Sequence, residues 1–226
     1  MNDDMRTYSH DETLVKARRM QIIQGAAKVF EEKGYDRTNM REMAAACNMS
    51  IGALYHYVGS KEDILYLFIN DGLSRLSEVV EGFSSRLGDI SPTEALRGFI
   101  KMYYQGVASD DSFCLFTYQE TKNLDANARR RVLDAAARDV AACEKLLRWG
   151  VEAGEFKIDN PTVVAHNIIV LGHMWAIRRW FLRKRCTLEE YIREETESIL
   201  KAILVDTRVA AGSRKDAERH ASTYVE

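Results

Sequence analysis

The sequence predicts an all-α protein, and three observations carry that prediction. Apolar residues recur at helical spacing, as Met40, Met43, Ala44 and Cys47 do at i, i+3, i+4 and i+7. The chain of 226 residues has only two prolines, Pro92 and Pro161, and each follows a capping residue, Ser91 or Asn160, so both stand at helix starts. Ala, Leu, Glu and Arg are abundant, and no alternating strand pattern of useful length appears. Hydrophobic residues at 46% and charged residues at 29% describe a soluble globular chain, long enough for a small domain followed by a larger one.

The N-terminal part reads as a set of short helices. Residues 1–10 are polar, and Ser9-His10-Asp11-Glu12 forms a capping-box pattern ahead of the first helix. Ile23, Ala26, Ala27 and Phe30 give that helix its inner stripe, and Gly34 ends it. Thr38 reads as the N-cap of a second helix. Asn48-Met49-Ser50 breaks the pattern, and Ser50 caps a third helix, Ile51 to Val58, with Ala53, Leu54 and Tyr57 inward. Gly59 suits a left-handed C-terminal position. Ser60-Lys61-Glu62-Asp63 opens a fourth helix, expected to reach Leu87 because Gly88 follows; its Ile64, Leu65 and Phe68 pack back onto the small domain. Helix, short turn and second short helix make the helix-turn-helix plan, whose second helix enters the DNA major groove.

The larger part continues in helices. Ser91-Pro92-Thr93-Glu94 is a start signal, and Leu96, Phe99, Ile100, Tyr103 and Val107 mark an apolar face. A short apolar and aromatic segment, Phe113 to Tyr118, follows the turn at Ser109-Asp110-Asp111-Ser112. A long helix is expected over 127–153, another over 161–184 and a last one over 187–205. The domains are therefore 1–60, 61–205 and a charged tail over 206–226.

Charge and motifs narrow the function. Net charge is −2, but residues 16–61 hold eight bases and four acids, a modest basic patch of the kind phosphate contact needs. The four cysteines, Cys47, Cys114, Cys143 and Cys186, form no C-x-x-C pair, so neither a zinc site nor a disulfide framework is indicated. His166 and His173 are seven apart, whereas metal-binding pairs on one helix sit four apart; they read as packed or ligand-lining histidines. No nucleophile elbow, phosphate-binding loop or paired-carboxylate motif stands out, so no enzyme activity, cofactor or metal is expected. The longest apolar run, Ile168 to Ile177, is broken by Gly172 and His173 and falls far short of the ~20 residues that span a bilayer. No membrane contact is expected, and a reducing cytoplasm is the expected address.

One stretch resembles a known family. Gly34-Tyr35, Thr38, the Met43-Ala44 pair and Ser50-x-Gly52-x-Leu54-Tyr55-x-Tyr57 leading to Lys61 closely resemble the DNA-binding domain of the tetracycline-repressor (TetR) family of bacterial regulators. The match covers roughly residues 16–70, and these motifs are specific in combination. Val58 departs from it, since the family usually has Phe there; packing under the recognition helix is reduced, but no DNA contact is removed. The resemblance implies that Thr38, Tyr55, Tyr57 and Lys61 contact phosphate and that Ser50, Ile51, Gly52 and Ala53 face base edges. With so little bulk at Gly52 and Ala53, Arg41 and backbone fit carry more of the discrimination. A core aromatic whose hydroxyl merely reaches the surface is an equal alternative for Tyr57.

The six helices after the small domain are similar in count and order to the family's ligand-binding and dimerisation domain. Leu115-Phe116-x-x-Gln119-Glu120-Thr121 and Leu171-Gly172-His173-Met174-Trp175-x-x-Arg178-Arg179-Trp180 resemble members that sense acyl-CoA or fatty-acid-like compounds. The expectation is a homodimeric repressor on a palindromic double-stranded operator, released by a small-molecule effector. Tyr103, Phe116 and Trp175 would border the apolar part of the effector, and Arg178 or Arg179 would meet its anion. The last two helices would hold the dimer, with Gly172 allowing close approach. The rival readings are a helical enzyme or carrier for a lipid-like molecule without DNA function, and an activator on the same fold.

Overall fold

The computed structural model describes residues 12–84 and 90–205; the capping pattern at Ser9 and the tail beyond 205 lie outside them. Ten α-helices and one short 3₁₀ turn account for the described architecture, and the one strand-like contact there is an isolated antiparallel bridge between Phe156 and Leu204.

The first three helices are α1 (Glu12–Lys33), α2 (Met40–Ala46) and α3 (Ile51–Tyr55). Gly34 ends α1 at φ 74°, a conformation that only glycine adopts without strain. The cap of α2 is Asn39 and not Thr38: the Asn39 side chain accepts from the backbone N–H groups of Arg41 and Glu42, and the Glu42 carboxylate accepts from the Asn39 N–H. The Thr38 hydroxyl is turned inward instead and donates to the Gly34 carbonyl at 2.7 Å. The turn between α2 and α3 is made by Asn48 at φ 51°, a left-handed conformation that Asn tolerates. Ser50 caps α3 as expected, its Oγ accepting from Ala53 N–H at 3.1 Å. The helix stops at Tyr55, three residues early, and the positive φ expected at Gly59 is absent. The Asp63 carboxylate binds the N–H groups of Gly59 and Ser60 there and closes the turn without it.

The long α4 (Lys61–Ser84) belongs to two cores. Ile64, Leu65, Phe68 and Ile69 are buried with Ile22, Ala26, Phe30, Met43 and Leu54 of the first three helices. Further along, Val80 joins a second core. That core is built by α5 (Pro92–Ser109), α7 (Ala126–Glu152), α8 (Pro161–Ile177) and α10 (Leu188–Ile203) around Phe99, Tyr103, Tyr104, Leu147 and Ile168. The aromatic segment over 113–118 lies within a full helix, α6 (Asp111–Glu120), capped by Asp110; the 3₁₀ turn Thr121–Asn123 follows it.

Two expectations are corrected here. The helix from Pro161 does not run to Lys184: it breaks at Arg178 (φ −105°, ψ 22°), and the four-residue α9 (Arg179–Leu182) follows. Arg179 and Arg183 beyond the break reach across to Asp111 of α6. Gly172 does not serve a contact between copies. It is buried against the rings of Tyr104 and Tyr103, which occupy the space a side chain would need.

Candidate nucleic-acid interface and ligand cavity

The helix-turn-helix is fastened from within. Gln21 Nε2 of α1 donates to the Cys47 carbonyl at 2.5 Å, which fixes the end of α2 against α1. Lys61 Nζ donates to the carbonyls of Tyr35 and Thr38, both at 3.1 Å, and sits 4.1 Å from the centroid of the Tyr35 ring. Burial, helped by the negative charges of Glu62, Asp36 and Glu120, pushes the Tyr35 phenol up to about 12, so it stays neutral. These contacts set the loop ahead of α2 relative to α4.

The sequence-derived DNA residues fall into two sets. Arg41, Ser50, Ile51, Gly52 and Tyr55 are exposed, with Ile51 at 40% and Tyr55 at 48%; the space around Gly52 is open. Ala53 is half-buried behind them. An apolar Ile and a Tyr thus stand outward together on one short helix. Thr38 (4% exposed) and Tyr57 (8%) lie inside, and Lys61 is half-buried on its two carbonyls. The buried pair shapes the unit from below; the Tyr57 ring meets His56 edge-on at 5.1 Å.

The second body holds a half-open cavity of about 1170 Å³. Its walls come from five helices: α4 (Leu73, Leu76), α5 (Tyr103, Val107), α6 (Phe113, Thr117), α7 (Val132, Asp139, Val140) and α8 (His166, His173), among others. This exceeds the usual ~300–1,000 Å³ of small-molecule sites. His173 carries a polar relay on the wall: Tyr103 Oη lies 2.9 Å from Nε2 and Tyr118 Oη 2.8 Å from Nδ1. Burial, helped by His166, lowers the imidazole to about 4, so the ring is neutral at pH 7. Asp139 shows the reverse. It accepts from the Ser77 hydroxyl at 3.1 Å, yet burial raises its carboxyl to about 6 against the opposing pull of Ser77 and Arg138. Burial also pushes the Cys114 thiol on this wall up to about 12, which keeps it protonated and unreactive. Among the described residues no cluster of three or more His, Cys, Asp or Glu side chains is arranged to hold a metal ion.

Of the five residues expected around a ligand, Tyr103 is on the cavity wall. Phe116 lies behind it, stacked on Phe30 at 5.2 Å and edge-on to Phe68 at 5.3 Å. Trp175 is buried against Tyr191 at 5.5 Å. Arg178 covers Trp180, and Arg179 pairs with Asp111, the residue after cavity-lining Ser109 and Asp110. Sequence reasoning gave only a helix over 127–153 and singled out none of its cavity-lining stripe, Val132, Leu133, Ala136, Asp139 and Val140. An acid inside that stripe was the available signal.

The cavity and the helix-turn-helix share an aromatic run. Phe113 lines the cavity and presses its ring onto Gly72 of α4. It meets Phe68 at 5.5 Å, Phe68 meets Phe116 and Phe30, and Phe30 meets Tyr35 at 5.8 Å. Tyr35 in turn carries Lys61.

Comparison with known proteins agrees with this geometry. Residues 22–66 match the model of bacterial regulatory proteins of the tetR family, and residues 89–203 match a tetracyclin repressor-like C-terminal domain. The HTH-type transcriptional regulator HbdR of Aromatoleum sp. (strain CIB) is 29% identical over 196 residues, covering 85% of this chain and 83% of its own. The TetR family regulator PfmR of Thermus thermophilus superposes with a TM-score of 0.67 at 30% identity, over 80% of this chain and 97% of its own. AibR, solved in complex with isovaleryl coenzyme A and operator DNA, superposes with a TM-score of 0.65 at 27% identity, over 79% and 96%. Among the described residues no helix is long and apolar enough to cross a membrane. Helix-turn-helix, shared α4 and the cavity thus occur together in a chain that belongs to the tetR family of bacterial regulatory proteins, a DNA-binding transcriptional regulator with a ligand-binding C-terminal domain.

Proposed function

We propose that this chain is a homodimeric, cytoplasmic repressor without catalytic activity, released from a palindromic operator by a large apolar effector with an anionic head, with an acyl-CoA as the leading case. The observation that carries the reading is the 1170 Å³ cavity walled in part by α4, the helix whose first residue holds the loop ahead of α2. AibR, similar in fold and 27% identical, supports the effector class, since it was solved with isovaleryl coenzyme A. Arg41, Ser50, Ile51, Gly52, Ala53 and Tyr55 form the DNA face in this reading; Thr38, Tyr57 and Lys61 seat it. Tyr103 meets the ligand, Phe116 and Trp175 back its wall, and Arg178 or Arg179 takes the anion beside Asp111.

Two copies place their α3 helices in successive major grooves, ~34–36 Å apart or a multiple of it. An effector acts only through the difference in its affinity for the DNA-competent and DNA-incompetent arrangements. A change of about 100-fold in operator affinity corresponds to roughly 2.7 kcal/mol of coupling. A ligand that displaces Phe113 has a path through Phe68 and Phe116 to Phe30. The test is a mobility shift with the operator, titrated with acyl-CoAs of several chain lengths against free CoA. Release by acyl-CoAs alone is expected. If none releases DNA and none raises the melting temperature, the acyl-CoA reading fails while the DNA reading stands.

A further inference from the structure

A carboxyl lies deep in the cavity wall. Asp139 of α7 is 3% exposed and lines the cavity together with Leu76, Val132 and Val140. A carboxylate has room for about four hydrogen bonds, and the Ser77 hydroxyl of α4 supplies one, to Oδ1. Across the cavity on α6, the buried Thr117 hydroxyl has no hydrogen-bond partner among the described residues. Stability does not account for either group. A buried carboxyl in apolar surroundings is costly, and a hydrophobic residue of similar volume is often neutral or better at such a site. An orphaned hydroxyl and a buried carboxyl with acceptor capacity to spare, both on a cavity wall, are explained by what enters the cavity.

We propose that Asp139 is the specificity-determining residue of the cavity and that the effector is a hydroxylated acyl compound, its hydroxyl donating to the Asp139 carboxyl. The proposal rests on the acyl-CoA reading above and narrows it. Ser77 already seats a hydroxyl on this carboxyl, so a ligand hydroxyl finds the same chemistry; an anionic effector supplies no ammonium for it. The ligand hydroxyl binds the same carboxyl that Ser77 ties to α4, and so bears on the contact between α4 and α7. Recognition and release then share one contact.

The test is calorimetric titration of the full-length protein with octanoyl-CoA, β-hydroxyoctanoyl-CoA, ω-hydroxyoctanoyl-CoA and free CoA. At least one hydroxylated chain is expected to bind about tenfold or more tightly than octanoyl-CoA, because the unhydroxylated chain leaves the remaining hydrogen-bond capacity of the buried carboxyl unused. Asp139→Leu is expected to erase that preference while retaining or improving octanoyl-CoA affinity. Asp139→Asn preserves the shape and keeps part of the preference, so it carries the test if the leucine variant fails to fold. Equal binding of all three acyl chains by the wild type overturns the proposal and leaves the acyl-CoA reading standing. A hydroxyl preference unchanged in the variants does the same. Binding of no acyl-CoA overturns both.

Discussion

Tyr55 and Tyr57 stand two residues apart and differ in what their loss would do. Tyr55 is half exposed on α3, so Tyr55→Ala is expected to weaken operator binding with the thermal melt intact, read by anisotropy and calorimetry together. Tyr57 is buried, so Tyr57→Ala leaves a cavity and costs about 3 kcal/mol of stability. Arg41 is exposed, and Arg41→Ala is expected to reduce the salt slope of binding by about one if it neutralises a phosphate; an unchanged slope removes it from the interface. Asp139 and His173 give a pH prediction in which the signs oppose. Asp139 faces Ser77, with Arg138 and Glu81 as charged neighbours, and its carboxyl stands at about 6. Stability tied to its proton is fully present below the unfolded value near ~3.9 and is lost as pH rises through about 6. His173 faces Tyr103, Tyr118 and His166 and stands at about 4. Stability tied to its neutral ring is fully present above ~6.5 and is lost as pH falls toward about 4. The two offset each other in the wild type. Relative to it, Asp139→Asn should lose melting temperature as pH is lowered from ~6.5 to ~4.5, and His173→Gln should gain. Parallel melting curves for all three proteins would rule this balance out.

At the scale of elements, α4 joins the two cores and α6 lies over the joint. Gly72 of α4 leaves the space that the Phe113 ring of α6 fills. Gly72→Ala improves helix propensity by about 1 kcal/mol but drives that ring toward the cavity. Weaker effector binding without a loss of fold is expected by titration calorimetry; an unchanged affinity would mean that Phe113 yields elsewhere. Helix existence here was legible in the sequence because caps and periodicity are local. Asn160-Pro161 and Thr187 with Glu190 mark their helices as written. The break at Arg178 was not, because its counterpart, Asp111, lies on another helix. The cap of α2 also shifted by one residue, since Thr38 and Asn39 are both capping types and only the inward Gly34 carbonyl decides between them.

For the whole molecule, a single helix-turn-helix presents too small a surface to hold one site tightly, so pairing is the expected working state. Light scattering at micromolar concentration should give twice the chain mass, and a monomer would contradict the dimeric reading. The interface expected from α8 and α10 cannot use Gly172, which the Tyr104 ring already covers. Any pairing must therefore use the outer sides of those helices, away from Ala165, Ile168 and Leu200, which are buried within one chain.

By itself the sequence determined the all-α class, the helix-turn-helix, the Ser50 and Ser91 starts and the family, because each is written in contiguous residues and acts within one or two helical turns. Tertiary structure alone decided the site. The cavity gathers side chains from Gly72 to His173 on separate helices, and no local pattern distinguishes a wall residue from a core residue. Asp139 stands in the run Ala-Arg-Asp-Val and reads as a surface acid; burial among α4 and α7 turns it into a carboxyl seated on the Ser77 hydroxyl. Lys61 likewise reads as an exposed base, until the carbonyls of Tyr35 and Thr38, more than twenty residues away along the chain, converge on its amino group.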